Sequence, residues 1–339
     1  MISVAMATYN GERYIRQQVE SILNQTYDDL ELVVCDDCSS DGTVRILEEY
    51  AARDGRVKIF ENEANLGFKR NFERAISLCS GDFIAMCDQD DIWEVWKLEE
   101  ELQEIGGRDL VCTNSRIVDN NGNDAGYTMK DSVGYKFIPD DDTALIFRHL
   151  LHANFVQGST TMGRAEFLKS CLPIPDGFEY HDWWFAFRAC KHNGIRYLEK
   201  CSIRYRQHRT QVTTNEDNKF SEEIAASFRT RDAHWFSDFY QNNLKKIAFA
   251  KTVFETPALD LNAAESGFVN ETITYFEHMQ NKDWYTFTYF VRNYEAIFLD
   301  RARGKKYFRI AKRLLGLVRW RLTSYKKVKR FLREMEARP

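Results

Sequence analysis

No stretch of this 339-residue chain reaches the about 20 consecutive apolar residues that a membrane-spanning helix requires, so no transmembrane segment is expected. The opening residues Met1-Ile2-Ser3-Val4-Ala5-Met6-Ala7 lack a basic start and a long apolar stretch, so no secretory signal peptide is expected either. Proline is scarce, at five residues, and together with a 44% apolar content this excludes a low-complexity or disordered chain. The eight cysteines are scattered, and the single CxxC, Cys35-Asp36-Asp37-Cys38, has no second pair to complete a zinc site. Reduced thiols acting as small core residues in a cytoplasmic protein are therefore expected. No internal repeat and no polar linker interrupts the chain.

Charge is unevenly placed. The chain as a whole carries −4, but residues 301–339 hold 15 Lys and Arg against Glu334 and Glu336, a net of +13 that leaves −17 on residues 1–300. Between residues 305 and 333, Phe308, Ile310, Leu314, Leu315, Leu317, Val318, Leu322, Val328, Phe331 and Leu332 alternate with these cations. Such a segment suits an anionic bilayer surface. Packing on the acidic body is the competing reading, and nucleic acid is not expected because no motif for it accompanies the charge.

The first ~120 residues alternate short apolar runs with helical patterns. Strands are expected over residues 2–7, 30–35, 57–60, 83–87 and 110–113, with helices over 12–24, 43–53, 68–78 and 93–104. A repeated β-α order implies a parallel sheet covered by helices on both faces. Ligands of such sheets bind beyond the carboxyl ends of the strands, which would gather Thr8-Tyr9-Asn10, Asp36-Asp37 and residues 88–91 on one rim. Further on, residues 126–142 and 173–179 are expected as loops and 156–162 as a strand. Helices are expected over 164–170 and 181–192, two short strands over 195–199 and 202–206, and mainly helix from about residue 220.

The densest chemistry lies in Asp88-Gln89-Asp90-Asp91, directly after the apolar run Phe83-Ile84-Ala85-Met86. Carboxylates this crowded repel one another unless a cation sits on them, and Asp is a good ligand for a hard divalent ion. A solvated loop that caps a helix is the alternative. Tyr9 can offer a ring face to a base, and Gly11 permits a tight turn. Asp36 and Asp37 can accept hydrogen bonds from a base N–H or a ribose hydroxyl, or serve in a turn. Lys69 and Arg70 stand in the first turn of a helix, where positive charge opposes the macrodipole; an anion such as a diphosphate would offset this, and two solvated cations are the alternative. Arg204 and Arg206 alternate on a strand and are expected on one face.

In order, these segments resemble the inverting family-2 glycosyltransferases of GT-A fold: a strand-end Thr-Tyr-Asn, then Asp-Asp-x-Ser-x-Asp-Gly-Thr, then Asn-x-Gly…Arg-Asn, then Asp-x-Asp-Asp. The resemblance covers residues 1–215, with Cys38 where the second motif usually has glycine, and it leaves 216–339 as a helical C-terminal region. It implies an α/β GT-A fold with a nucleotide-sugar site at Thr8, Tyr9, Glu12, Asp36, Asp37, Lys69, Arg70, Asp88, Gln89 and Asp91. It implies Asp90 as the main ligand of Mn²⁺ or Mg²⁺, and His208, in an ending similar to Tyr-Arg-x-His, as a second ligand or diphosphate contact. It implies a base for the attacking hydroxyl at Asp182, with His181, in place of the usual Glu, as the secondary candidate.

The processive signature Gln-x-x-Arg-Trp is absent, which favours a single-addition enzyme. Asp-Gln-Asp-Asp-Ile-Trp, His-Asp-Trp and Tyr-Arg-Gln-His together look most like bacterial cell-wall and O-antigen rhamnosyltransferases, implying dTDP-L-rhamnose as donor. A UDP-hexose donor is the alternative. The implied acceptor is a lipid-linked glycan, reached from the inner face of the plasma membrane. A nucleotidyltransferase would be expected to carry a glycine-rich basic loop where Thr8-Tyr9-Asn10-Gly11-Glu12 stands. A catalytically silent subunit is disfavoured by intact Asp90 and Asp182. Residues 216–300 are open to dimerisation, acceptor binding or packing.

Overall fold

The computed structural model describes residues 1–133, 142–208, 233–278 and, singly, 289, 292, 293 and 297. Its first half runs β1 (Ile2–Thr8), α1 (Ile15–Leu23), β2 (Leu30–Asp36), α2 (Thr43–Ala51), β3 (Val57–Glu61), α3 (Phe68–Leu78), β4 (Phe83–Cys87), β5 (Ile92–Trp93), α4 (Lys97–Glu104) and β6 (Leu110–Val118). Then follow β7 (Asp124–Thr128), α5 (Met129–Val133), α6 (Thr143–Leu150), β8 (Thr161–Arg164), α7 (Ala165–Ser170), α8 (His181–Cys190), β9 (Ile195–Arg206), α9 (Ala233–Glu255) and α10 (Ala263–His278).

The sheet order is β3-β2-β1-β4-β8-β6-β9-β5, with β7 added to β6. Strands β1 to β4 pair in parallel, as the β-α order predicts. The second half makes the sheet mixed: β8 runs antiparallel to both β4 and β6, and β5 runs antiparallel to β9. Along each strand, alternate residues enter opposite cores, as a period of two requires. Ala5, Val33, Ile84 and Met86 face α3, α6, α7 and α8. Val4, Met6, Val34 and Ala85 face α1, α2 and α4.

Local departures from the sequence reading have identifiable causes. Helix α1 starts at Ile15, three residues late, because the preceding backbone is engaged elsewhere: Gly11 N–H donates to Thr43 and Glu12 N–H to Asp41. Ile92 and Trp93 do not begin a helix, because they pair with Arg204 and Ile203 of β9. The two short strands expected at 195–199 and 202–206 are one strand, β9, whose register against β6 slips around Asn114. In the expected loop of residues 126–142, β7 and α5 occupy the start, and residues 134–141 lie outside the described residues.

The C-terminal helices share the sheet's core. Ala250 and Val253 of α9, Leu259 of the turn that follows it and Val269 of α10 are buried in the same cluster as Phe178, Trp184, Phe185 and Phe187. The Phe249 ring centroid lies 4.3 Å from that of Trp183, and Lys191 pairs with Glu265 at 2.5 Å. Packing on the sheet's core is therefore one role of the described part of residues 216–300. The boundary at 215, the residues 220–232 and the basic segment 301–339 lie outside the described residues. Among the described residues, no helix is long and apolar enough to cross a membrane.

Candidate active site

In the parallel register Thr8 stands opposite Asp36 and Met6 opposite Cys87, so β1, β2 and β4 end together and their following loops form one rim. The loop after β1 is fastened on two sides. Gln89 brackets Tyr9, accepting from its N–H at 2.9 Å and donating to its carbonyl at 3.0 Å. A Cβ on Gly11 would collide with the Gln89 amide, so glycine there is needed to let the two loops touch. On the other side Asn10, at φ 49°, accepts from Ser40 N–H, and Glu12 accepts from Gly42 N–H. This leaves the Tyr9 ring half exposed on the rim.

The acids after β2 are engaged by the protein itself. Asp36 is fully buried and accepts from Thr8 at 3.0 Å, from Ser39 Oγ at 2.6 Å and from Ser39 N–H at 2.8 Å. Asp37 accepts from Asn62, Leu66 N–H and Gly67 N–H, which fixes the loop leading into α3. Cys38, at the position where glycine is usual, keeps a left-handed φ of 64° and its thiol donates to the Asn62 carbonyl. The glycine-like turn is thus retained against the Cβ penalty that position carries.

Lys69 and Arg70 do not stand free for an anion. Lys69 Nζ donates to the carbonyls of Pro175, Asp176 and Phe178, while Arg70 donates to the Ile174 carbonyl and pairs with Asp176 and Glu73. They clamp the loop that precedes α8. Their charge is met by carbonyl oxygens of a distant segment and, for Arg70, by Glu73 and Asp176.

At the end of β4 the three acids separate by environment. Burial first, then Asp90 and Asp182, push the Asp88 carboxyl up to about 7. Asp91 is fully buried; burial, Asp90 and Asp88 hold it well above the usual carboxylate range. One Asp91 oxygen accepts from Arg206 N–H at 2.9 Å, and the Ser159 hydroxyl lies near enough to favour the ionised form. Asp90 meets His208 Nε2 at 2.8 Å, and the His208 ring lies 4.8 Å from that of Tyr14. Arg206 ties this region together. Almost fully buried, it donates to the Asp90 carbonyl, the Asn120 carbonyl and Gln17, with its guanidinium over Tyr14. Arg204 shares neither its burial nor its partners; it is exposed and pairs with Glu94.

Asp182 opens α8 opposite this cluster. Its Oδ1 accepts from Asn154 Nδ2 at 3.2 Å and its Oδ2 from Gly158 N–H at 3.1 Å, and burial pushes the carboxyl up to about 7. Its influence on Asp88 shows that the fold brings the two together. His181 is different. Its ring stacks on Phe72 at 4.1 Å, burial holds it neutral with a pKa lowered to about 3, and neither ring nitrogen has a hydrogen-bond partner among the described residues. The expectation of His181 as a second base gives way to a packing role, because desolvation disfavours the charged form such a base must reach. Sequence reasoning missed Asn154 and Gly158, for which no local motif gives a signal, and it undervalued Arg206.

Among the described residues, no group of three or more His, Cys, Asp or Glu is arranged as a metal centre. The donors nevertheless fit a hard divalent cation. Asp90 and His208 supply one carboxylate and one imidazole, and the resisted ionisation of neighbouring Asp88 and Asp91 is what an added positive charge would relieve.

Residues 3–172, just over half of the chain, match the family described as Glycosyl transferase family 2. With this rim of strand-end acids on a mixed α/β sheet, the chain belongs to glycosyltransferase family 2 and is a glycosyltransferase of GT-A fold. It is 29% identical over 254 residues, 74% of this chain and 90% of the relative, to the Escherichia coli protein named UDP-Glc:alpha-D-GlcNAc-diphosphoundecaprenol beta-1,3-glucosyltransferase WfgD. It is 40% identical over 102 residues to EpsE of Bacillus subtilis (strain 168), where the match spans 30% of this chain and 37% of that relative. S. aureus TarS 1-349, solved with UDP-GlcNAc, shares the fold at a TM-score of 0.55 and 19% identity, over 87% of this chain and 81% of that one.

Asp88 and Asp182 make the metal-free protein pH-sensitive. Each carboxyl stands at about 7 in the folded chain against an ordinary 3.8. Their stabilising contribution is therefore complete below pH ~4 and is lost as pH rises through ~7. Asp88→Asn is expected to stabilise the metal-free protein by about 1–2 kcal/mol at pH 8 and to change little at pH 4.5, read by urea unfolding. Equal effects at both pH values would show that Asp88 ionises freely.

Proposed function

We propose that this chain is a metal-dependent, inverting transferase that moves one sugar from a nucleoside-diphosphate donor to a hydroxyl of a bacterial polysaccharide precursor. The observation that carries the reading is the placement of Asp182, held by Asn154 and Gly158 with a pKa near neutrality, across from Asp88 at the end of β4. A base with a pKa near the working pH is well matched to taking a proton from an alcohol as it attacks.

In this reading the Asp182 carboxylate accepts the acceptor's hydroxyl proton, and the acceptor oxygen bonds to the anomeric carbon. The bond from that carbon to the diphosphate oxygen breaks, and the nucleoside diphosphate leaves with the electron pair. Tyr9 and the loop held by Gln89 border the nucleotide, with Thr8, Glu12, Asp36 and Asp37 shaping that wall. Asp88 faces the sugar-nucleotide side, and Asp91 anchors β9 through Arg206. Asp90 and His208 would hold Mn²⁺ or Mg²⁺, which when bound neutralises charge on the departing diphosphate.

The donor proposed is dTDP-L-rhamnose, on the combination of motifs around Asp88, Asp182 and His208. A UDP-hexose is the second reading, favoured by the donor in WfgD's name. That name also specifies a diphosphoundecaprenol-linked acceptor, which supports a lipid-linked acceptor here and a cytoplasmic, peripheral placement. Catalytic residues 1–215 would then be followed by a helical region whose basic end, 301–339, meets the anionic membrane surface.

A thermal-shift screen of UDP-, dTDP- and GDP-sugars with and without Mn²⁺ tests the donor. A Mn²⁺-dependent stabilisation by dTDP-rhamnose, lost in Asp90→Ala, is expected; a response to UDP-glucose alone would select the second reading. Asp182→Asn should keep the stabilisation and lower transfer by at least ~10²-fold, and full turnover would remove Asp182 as the base. For the basic segment, co-sedimentation with anionic phosphatidylglycerol vesicles should fall to background when the chain is cut after Asp300. Equal binding by the cut chain would place the membrane contact elsewhere.

A further inference from the structure

The base is not held by its own helix alone. The segment between α6 and β8 offers two donors to Asp182, one to each oxygen: Asn154 Nδ2 to Oδ1 at 3.2 Å and Gly158 N–H to Oδ2 at 3.1 Å. The Asn154 amide is itself fixed. Its Oδ1 accepts from Val156 N–H at 3.0 Å while its Nδ2 donates to the Val156 carbonyl at 2.8 Å. A backbone N–H can only donate, so the atom facing it must be the amide oxygen, and the NH₂ group is thereby turned toward Asp182. Gly158 is constrained in a matching way. A Cβ there would lie 2.7 Å from His181 Nε2, so the close approach that brings its N–H to Asp182 depends on glycine and on the neutral, stacked His181 beneath it.

From this geometry we infer that Asn154 is a positioning residue for the transfer reaction: it orients the Asp182 carboxylate and favours its ionised form. The proposal rests on the reading of Asp182 as the base. Both donors come from the segment between α6 and β8, while Asp182 lies near enough to Asp88 to raise its carboxyl. Asp88 is the titratable group that faces Asp182 from the sheet, and His181 is the titratable neighbour on α8. With burial raising the carboxyl, fixed donors are the means available to keep it ionisable near neutral pH. The same bond limits how Asp182 can rotate, leaving defined lone pairs for the acceptor hydroxyl.

The test reads the Asp182 carboxyl directly in the full-length protein labelled with [4-¹³C]aspartate, with Asp182→Asn supplying the assignment. In the unsubstituted protein that resonance should titrate near neutral pH. In Asn154→Ala the midpoint should rise by about half to one pH unit, and in the isosteric Asn154→Asp, which replaces a donor with a like charge, by more. The acidic limb of kcat for nucleoside-diphosphate release, read with whichever of dTDP-L-rhamnose and UDP-glucose the protein turns over, should move by the same interval, with affinity for that nucleoside diphosphate unchanged. If Asn154→Ala fails to fold, the isosteric variant carries the test. A midpoint and limb unmoved in the folded variants would overturn the proposal, because a merely structural role lowers kcat without moving either. Full turnover in Asp182→Asn would instead remove the base reading, and the titration result would then describe a buried carboxyl with no catalytic task.

Discussion

Four carboxyl groups converge at one end of the sheet, and their mutual repulsion is the constraint on which the rest of the site depends. Asp88, Asp90 and Asp91 leave β4 together, and α8 delivers Asp182 to face them. The protein answers part of that charge from within. Arg206 places a buried guanidinium against the Asp90 carbonyl and its backbone N–H on Asp91, while reaching Gln17 of α1 and the turn at Asn120. One residue at the end of β9 thus joins the first helix, the acidic loop and the β6–β7 turn. What Arg206 leaves unanswered is the raised Asp88, and a site that resists its own ionisation favours an incoming cation.

The same arithmetic divides the labour among the acids. Asp91, fully buried and bonded to the chain, supports structure. Asp90, beside His208 at the surface of the cluster, keeps ligand chemistry available. Asp182 has a donor on each carboxylate oxygen, a setting that suits a group gaining and losing a proton. Its helix is backed by Phe249 of α9 against Trp183, so the C-terminal helices support the helix that carries Asp182. The loop before it is clamped from α3 by Lys69 and Arg70.

Much of this was legible in the chain. The strand-end motifs at Thr8, Asp36 and Asp88 lie on one rim because β-α-β order in a parallel sheet puts all strand ends on one side, and sequence order alone reveals that. The antiparallel β8 was not legible, since a short apolar run carries no sign of strand direction. The two-residue β5 escaped because its pairing partner lies in β9. Lys69 and Arg70 looked like anion ligands because only their local helix could be seen; the carbonyls that bind them come from residues 174–178. His181 could not be separated from Asp182 by sequence, because what distinguishes them is burial: one ring is sealed against Phe72, and one carboxyl faces Asp88. Asn154 gave no signal at all, being a single polar residue whose meaning comes entirely from a partner in α8.

Under the proposed metal-dependent mechanism, the raised carboxyl of Asp88 is met by a divalent cation, held at Asp90 and His208, that arrives with a nucleoside diphosphate. Isothermal titration of UDP and dTDP into the protein at pH 6.5, with and without Mn²⁺, in buffers of different ionisation enthalpy, tests it most directly. The account predicts binding of one of the two that requires Mn²⁺ and releases a substantial fraction of a proton, because Asp88 ionises as the cation arrives. Binding of equal strength without Mn²⁺, and with no proton released, would contradict it.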